Sequence, residues 1–332
     1  MHSLLLDRLV CPICHSRLTW TIAEALGDRI ETAEAFCATC PASYPVKEGI
    51  ALFLTPGLAR HDLWEELDSQ LSSHLRQHPD VERRLMDVPL DTLAPADLFF
   101  RSLMLEERED YVQAAAVMAL ASSGLYTQEY LACADNMIRV VMDRLAGLEW
   151  PVVDLASGRG RLVEEMLRGL EIPVAATDFS PRVLRRARGR LRSLGLHDRV
   201  SLLSFDARRT PFGDGAVRTL TSYLGLSNIE EPGTLLRELR RIVSGTLIAV
   251  AHFFPEEDEA NRALIIQAGL QAMLYRRPAL AAFAEAGFDV KVAAECTSEV
   301  RPTPTSAVLE GAGIDALPVV ETSLEWCVLV AH

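Results

Sequence analysis

Two rhythms of apolar and polar residues divide this chain. From Val152 onward, short apolar runs recur between longer stretches in which apolar positions return every three or four residues, the pattern of strands alternating with amphipathic helices. Val152-Val153-Asp154, Val174-Ala175-Ala176-Thr177-Asp178 and Val200 to Phe205 predict strands, and each closes on an acid: Asp154, Asp178 and Asp206. Ala216 to Tyr223, Thr246 to Ala251, Phe288 to Ala294 and Ser323 to Ala331 suit further strands. Helices are expected at Pro232 to Val243 and from about Glu257 to Gly287. The second is led by the acidic run Glu256-Glu257-Asp258-Glu259, which suits the positive end of a helix. Alternation of this kind builds a parallel sheet with helices on both faces, and ligands bind beyond the carboxyl ends of its strands. Asp154, Asp178, Asp206 and Tyr223 are thereby directed toward one cleft.

Ahead of Val152 the rhythm is helical. Leu63, Leu67, Leu71 and Leu75 recur every four residues with Trp64 beside them, predicting a helix that stops at His78-Pro79. Pro89 and Pro95 punctuate the next stretch. Asp97 to Ser122 and Thr127 to Leu145 read as longer helices split by Ser122-Ser123-Gly124, with Thr127 as an N-cap. The first 56 residues differ again: they are short, turn-rich and carry paired cysteines.

The junction Asp154-Leu155-Ala156-Ser157-Gly158-Arg159-Gly160 carries the candidate chemistry. Ala156, Gly158 and Gly160 alternate, so the backbone can turn sharply and approach a ligand with no side chain between them. Asp178 follows at roughly the 20-residue spacing of a ribose-binding acid. A dinucleotide fingerprint would need a third glycine where Val163 stands.

At these residues the chain resembles the class I S-adenosylmethionine (SAM)-dependent methyltransferases. Asp154 to Gly160 matches their first motif, with Ala156 where glycine is commoner. Asp178-Phe179-Ser180 matches the acidic second motif, and Asp206-Ala207 with Pro211-Phe212-Gly213-Asp214 resembles the adenine-side motif. The resemblance covers residues 146–332. It implies an α/β, Rossmann-like, doubly wound seven-stranded sheet of order 3-2-1-4-5-7-6 with an antiparallel last strand, preceded here by a zinc ribbon (1–56) and a helical lid or linker segment (57–145).

The resemblance also implies SAM as cofactor. The main chain around Ala156, Gly158 and Gly160 would lie by its methionine moiety, Asp178 on the ribose hydroxyls, Asp206 with Ala207 at the adenine edge, and Phe179 and Tyr223 beside it. Asp154 would orient the loop. Helices ahead of the first motif cover the site in this family, so Tyr126 and Tyr130 are lid candidates, with helix packing as their other role. His252 follows the fifth strand. An imidazole with an ordinary pKa near 6.5 suits a general base, and the alternative is a hydrogen-bonding group at a buried strand end. After the fourth strand, Ser222-Tyr223-Leu224-Gly225 lacks the N-P-P-Y-type clamp for an exocyclic amine. A small-molecule acceptor is therefore expected; a ribosomal or transfer RNA base, a protein substrate, or a non-catalytic partner role are the alternatives.

Cys11-Pro12-Ile13-Cys14 and Cys37-Ala38-Thr39-Cys40 form two C-x-x-C knuckles. Four thiolates on two tight turns suit one tetrahedral Zn²⁺; an iron–sulfur site or two disulfides could use the same ligands. A module of this size buries little core, so the metal would be structural, and the segment resembles zinc ribbons associated with methyltransferases. Cys133 and Cys327 are expected to pack as small hydrophobes.

Composition narrows the function further. At 332 residues and 49% hydrophobic content the chain is too long for one typical domain. Its net charge of −13 argues against a large nucleic-acid footprint. Against that stands Arg182, Arg185, Arg186, Arg188, Arg190 and Arg192 on one predicted helix, either a solvated surface or a phosphate contact. No apolar run is long enough for a membrane span, so a cytoplasmic protein is expected; a homodimer is possible.

Overall fold

A computed structural model describes residues 1–56 and 71–332. The strands are β1 (Leu18–Leu26), β2 (Arg29–Cys37), β3 (Ser43–Lys47), β4 (Ile50–Leu52), β5 (Val152–Asp154), β6 (Val174–Asp178), β7 (Val200–Ser204), β8 (Val217–Tyr223), β9 (Val243–Phe253), β10 (Val290–Val300) and β11 (Thr322–Ala331). All join one sheet in the order β1-β2-β3-β4-β7-β6-β5-β8-β9-β11-β10. From β7 outward this is the expected 3-2-1-4-5-7-6 arrangement, parallel until β11 enters antiparallel to β9 and β10.

The cysteine-bearing segment continues that sheet. β4 pairs in parallel with β7 through Ile50↔Leu202, Ala51↔Leu203 and Leu52↔Ser204, and the antiparallel β3, β2 and β1 follow outward. Buried Arg29 on β2 donates to the carbonyls of His197 (3.0 Å) and Val200 (2.9 Å) at the entry to β7. On one sheet face Leu5, Ile30, Tyr44 and Phe53 share a core with Phe205, Phe212, Leu239 and Phe283. On the other, Met137, Val141, Met166, Leu184 and Trp326 are buried together.

The helical segment differs from its sequence pattern in two places. The stretch Asp97 to Ser122 is two helices, Pro95–Glu107 and Tyr111–Leu125. Glu109 takes a left-handed φ of 61° between them, and the Asp110 carboxylate caps the second by accepting from Gln113 N. Ser122-Ser123-Gly124 is no break. Gly124 lies inside the second helix, where a Cβ would fall 2.5 Å from the Pro95 ring, so the glycine permits a close helix approach. Thr127 does cap Gln128–Leu145, accepting from Tyr130 N at 3.1 Å. Leu71 and Leu75 are buried with Phe99, Phe100 and Leu103, whereas Leu63, Trp64 and Leu67 lie outside the described residues. The helices expected between about Glu257 and Gly287 are Glu259–Gln267, Gln271–Leu274 and Arg276–Glu285. Cys133 is buried as expected but is not free, being bonded to Cys296 of β10, with Cα atoms 6.1 Å apart.

Candidate active site and metal centre

The β5 end is built around a buried carboxylate. Asp154, 1% exposed, accepts from the Thr221 hydroxyl of neighbouring β8 at 2.7 Å. Burial raises its pKa to about 6, and the hydroxyls of Thr221 and Ser157 hold it from rising further. Beyond it the loop takes three left-handed residues: Ala156 (φ 52°), Gly158 (52°) and Gly160 (76°). Ala156 thus adopts a conformation that a glycine would adopt freely, and it sustains this in contact with Gly225, where a Cβ would fall 2.7 Å from the Ala156 Cβ. Nothing lies within 4 Å of a Cβ built on Gly158, leaving the loop backbone open on that side.

Asp178 braces the loop from β6. Its Oδ2 accepts from Gly158 N (2.9 Å) and its Oδ1 from Ser180 N (2.9 Å). Ser157 N donates to the Thr177 carbonyl at 2.8 Å, completing the link between the two strand ends. Phe179 is half-buried, and its carbonyl accepts from Ser204 Oγ of β7 at 3.0 Å. Asp206, 6% exposed, is gripped by Arg208 through Nη2 at 2.8 Å and Nε at 3.0 Å, while Arg208 also pairs with Glu231. Ala207 beside it is buried. The three acids therefore sit at three adjacent strand ends, as the sequence pattern predicts. Alternating left-handed positions, an open backbone at Gly158 and carboxylates on either side fit an adenosyl and amino-acid ligand such as SAM.

A second group forms around the ends of β8 and β9. Tyr223 receives the Arg161 guanidinium over its ring at 5.8 Å, and Arg161 pairs with Asp135. Tyr126 and Tyr130 stack at 4.8 Å, and Tyr130 meets Trp326 edge-on at 4.9 Å. Trp326 in turn meets His252 at 5.4 Å. Tyr126 also donates to Asp315 at 3.1 Å, so both tyrosines belong to packing and to the wall of this end of the sheet. Burial lowers the His252 pKa to about 4, which keeps the ring neutral, and its Nδ1 is buried without a hydrogen-bond partner. The alternative of a hydrogen-bonded strand-end histidine is thus not what the Nδ1 shows.

Helix Pro95–Glu107 closes over the loop. Glu106 pairs with Arg159 at 2.6 Å, and Glu107 with Arg182 at 2.8 Å and with Arg186. A small, partly open pocket lies between this helix, Gly158, Arg159 and helix Pro181–Ser193. Of the remaining arginines of that helix, Arg188 pairs with Glu48, Arg190 with Glu164 and Arg192 with Glu31, while Arg185 is exposed. Sequence reading missed these carboxylate partners, as it missed Thr221, Ser157 and Gly225. Apart from Ser157, which lies inside the first motif three residues from Asp154, these contacts join segments distant in sequence and become visible only when the topology brings them together.

The four knuckle sulfurs lie within 4.8 Å of one another. The separations Cys11–Cys40 (3.6 Å), Cys14–Cys37 (3.4 Å) and Cys14–Cys40 (3.7 Å) match the edge of a tetrahedron with metal–sulfur bonds of about 2.3 Å. The main-chain amides of Thr39 and Cys40 donate to Cys37 Sγ. The donor set fits Zn²⁺.

Residues 152–245 match the family described as "Methyltransferase domain". The ubiquinone/menaquinone biosynthesis C-methyltransferase UbiE of Idiomarina loihiensis is 31% identical over 94 residues, which are 28% of this chain and 38% of that protein. The chain spans less than half the length of the curated relatives it matches. Among solved structures, the YcgJ protein of Bacillus subtilis aligns over 59% of this chain and 97% of its own at TM-score 0.47 and 14% identity. Geranyl diphosphate C-methyltransferase of Streptomyces coelicolor A3(2) aligns over 59% of this chain and 78% of its own at TM-score 0.44 and 16% identity.

Proposed function

We propose that this chain, whose residues 152–245 form a class I SAM-dependent methyltransferase domain, transfers a methyl group from SAM to a small-molecule acceptor. The observation that carries the proposal is the loop Ala156–Gly160, left-handed at alternate residues and hooked by Asp178. When bound, SAM supplies an activated methyl on a sulfonium, whose bonding electrons return to sulfur as the methyl leaves. Asp178 would hold the ribose hydroxyls by exchanging its loop amide for them, and Asp206 and Ala207 would border the adenine. The main chain of Ala156, Gly158 and Gly160 would position the amino-acid portion.

The acceptor would rest against Tyr126, Tyr130 and Tyr223, backed by the buried Trp326, a wall that excludes water and aligns the nucleophile. His252, neutral and with an unpartnered Nδ1, would take the acceptor proton as the new bond forms. A small acceptor is favoured over RNA by the internal pairing of Arg182, Arg186, Arg188, Arg190 and Arg192 with carboxylates. One Zn²⁺ would sit on Cys11, Cys14, Cys37 and Cys40. Among the described residues no helix is long and apolar enough to cross a membrane. Incubation with methyl-labelled SAM and separate metabolite and RNA pools tests the reading: label is expected in a metabolite, and label confined to RNA would overturn the acceptor assignment.

A further inference from the structure

We infer that the cysteine ribbon is an internal brace for the adenine-side loop, so that metal occupancy at Cys11, Cys14, Cys37 and Cys40 sets SAM affinity; this rests on the SAM-binding reading above.

Two routes connect the sulfurs to Asp206. The first runs through the chain entering the first knuckle. Val10, adjacent to Cys11, donates its N–H to the Pro211 carbonyl at 2.8 Å, and the Arg8 carbonyl accepts from Gly213 N at 3.1 Å. The Arg8 guanidinium donates to the Ala216 carbonyl at 3.0 Å. Residues 8–10 therefore bracket the loop that follows Asp206 on both sides of Phe212, which is 1% exposed and meets Phe205 edge-on at 5.9 Å. The second route runs through the core. Cys11 Sγ lies 3.3 Å from the Tyr44 hydroxyl, the Tyr44 ring packs 5.2 Å from Phe53, and Phe53 N donates to the Ser204 carbonyl at 2.7 Å. Ser204 ends β7, two residues before Asp206.

Cys11 is fully buried, while Cys14 is exposed. The ligand nearest the loop is thus locked in the shared core, and the outer knuckle closes the metal over it. Without the metal, four sulfurs at these separations lose what holds them together, and the segment from Arg8 to Cys14 loses its anchor at one end. The hydrogen bonds to Pro211, Gly213 and Ala216 then fray, and the Asp206–Ala207 turn loses its outer support. The sheet itself need not open, because β5, β8 and β9 lie on the far side of β6.

The test removes zinc from the full-length protein with a chelator and measures SAM affinity by calorimetry alongside hydrogen exchange. Loss of two to three hydrogen bonds predicts affinity weaker by about ten- to a hundred-fold, faster exchange across residues 205–216, and unchanged protection in β5, β8 and β9. Unchanged SAM affinity, or exchange that rises only within residues 1–54, overturns the inference. Where chelation unfolds the protein, Arg8→Ala decides: with zinc retained, it should still weaken SAM and speed exchange at 211–216, and parental behaviour in both overturns the brace. Failure of the zinc-loaded parent to bind SAM would sink the methyltransferase reading instead, and exchange at 205–216 would then judge the brace alone.

Discussion

Asp154→Asn isolates the cost of burying a charge at the heart of the cofactor loop. The variant keeps the shape of the side chain, and its amide oxygen can still accept from Thr221. In the parent, burial raises the carboxyl from 3.8 to about 6. Well below pH 3.8 the group is protonated in both folded and unfolded chains and costs nothing. Between about pH 4 and 6 the folded chain retains a proton that the unfolded chain has released, so stability falls as pH rises. Above pH 6 the deficit is constant, at most about 3 kcal/mol at 1.4 kcal/mol per decade. The neutral variant is free of it. Urea midpoints compared from about pH 4.5 to 7.5 should show the variant gaining on the parent up to pH 6 and running parallel above. A stability difference that stays constant across the whole range would refute the assignment of a raised Asp154 pKa.

Asp178→Ala should weaken SAM by about ten- to a hundred-fold, since a charged hydrogen bond contributes roughly 1.5 to 3 kcal/mol; calorimetry showing parental affinity would remove Asp178 from the ribose site. His252→Ala should cut turnover by about 10²- to 10⁴-fold with SAM affinity unchanged. Because burial holds His252 near pKa 4, the parental pH–rate profile should show no histidine limb near 6.5, and such a limb would contradict a buried neutral base. Arg185→Ala with Arg188→Ala should lower thermal stability through the lost Glu48 pair and leave RNA binding weak; a flattened salt dependence of tight RNA binding would show that the helix docks phosphates after all.

Strands β5 to β7 were legible as apolar runs closed by acids and β8 to β11 as further apolar runs, whereas β1 to β4, in the cysteine-bearing segment expected to be a separate ribbon, were not. Sheet order followed from the motif resemblance, and β5 to β11 obey it. The helix breaks were misplaced for a physical reason: Gly124 signals a turn in sequence, but its missing Cβ admits Pro95, while the real break falls at Glu109, a residue without breaker character. The arginine helix looked like a cationic surface because Glu31, Glu48, Glu107 and Glu164 are remote in sequence. His252 could be placed at a strand end from topology, yet its bare Nδ1 depends on Trp326 and Phe254 around it.

The continuous sheet also bears on which strand edges the protein leaves open. A seven-stranded sheet ending at β7 would present unpaired N–H and C=O groups to any passing strand. β4 occupies that rim and transfers the exposed edge to β1, where pairing with β2 slips around Ala23 between Ile22 and Glu24, a bulge that bends the edge out of register. The opposite edge, β10, carries its own slip between Val292 and Ala294 and bears Lys291, Glu295 and Glu299. Among the described residues both outer strands are thus irregular, β1 bulged with Glu24 between exposed Ile22 and Leu26 and β10 slipped and charged, so neither rim presents a flat, in-register edge.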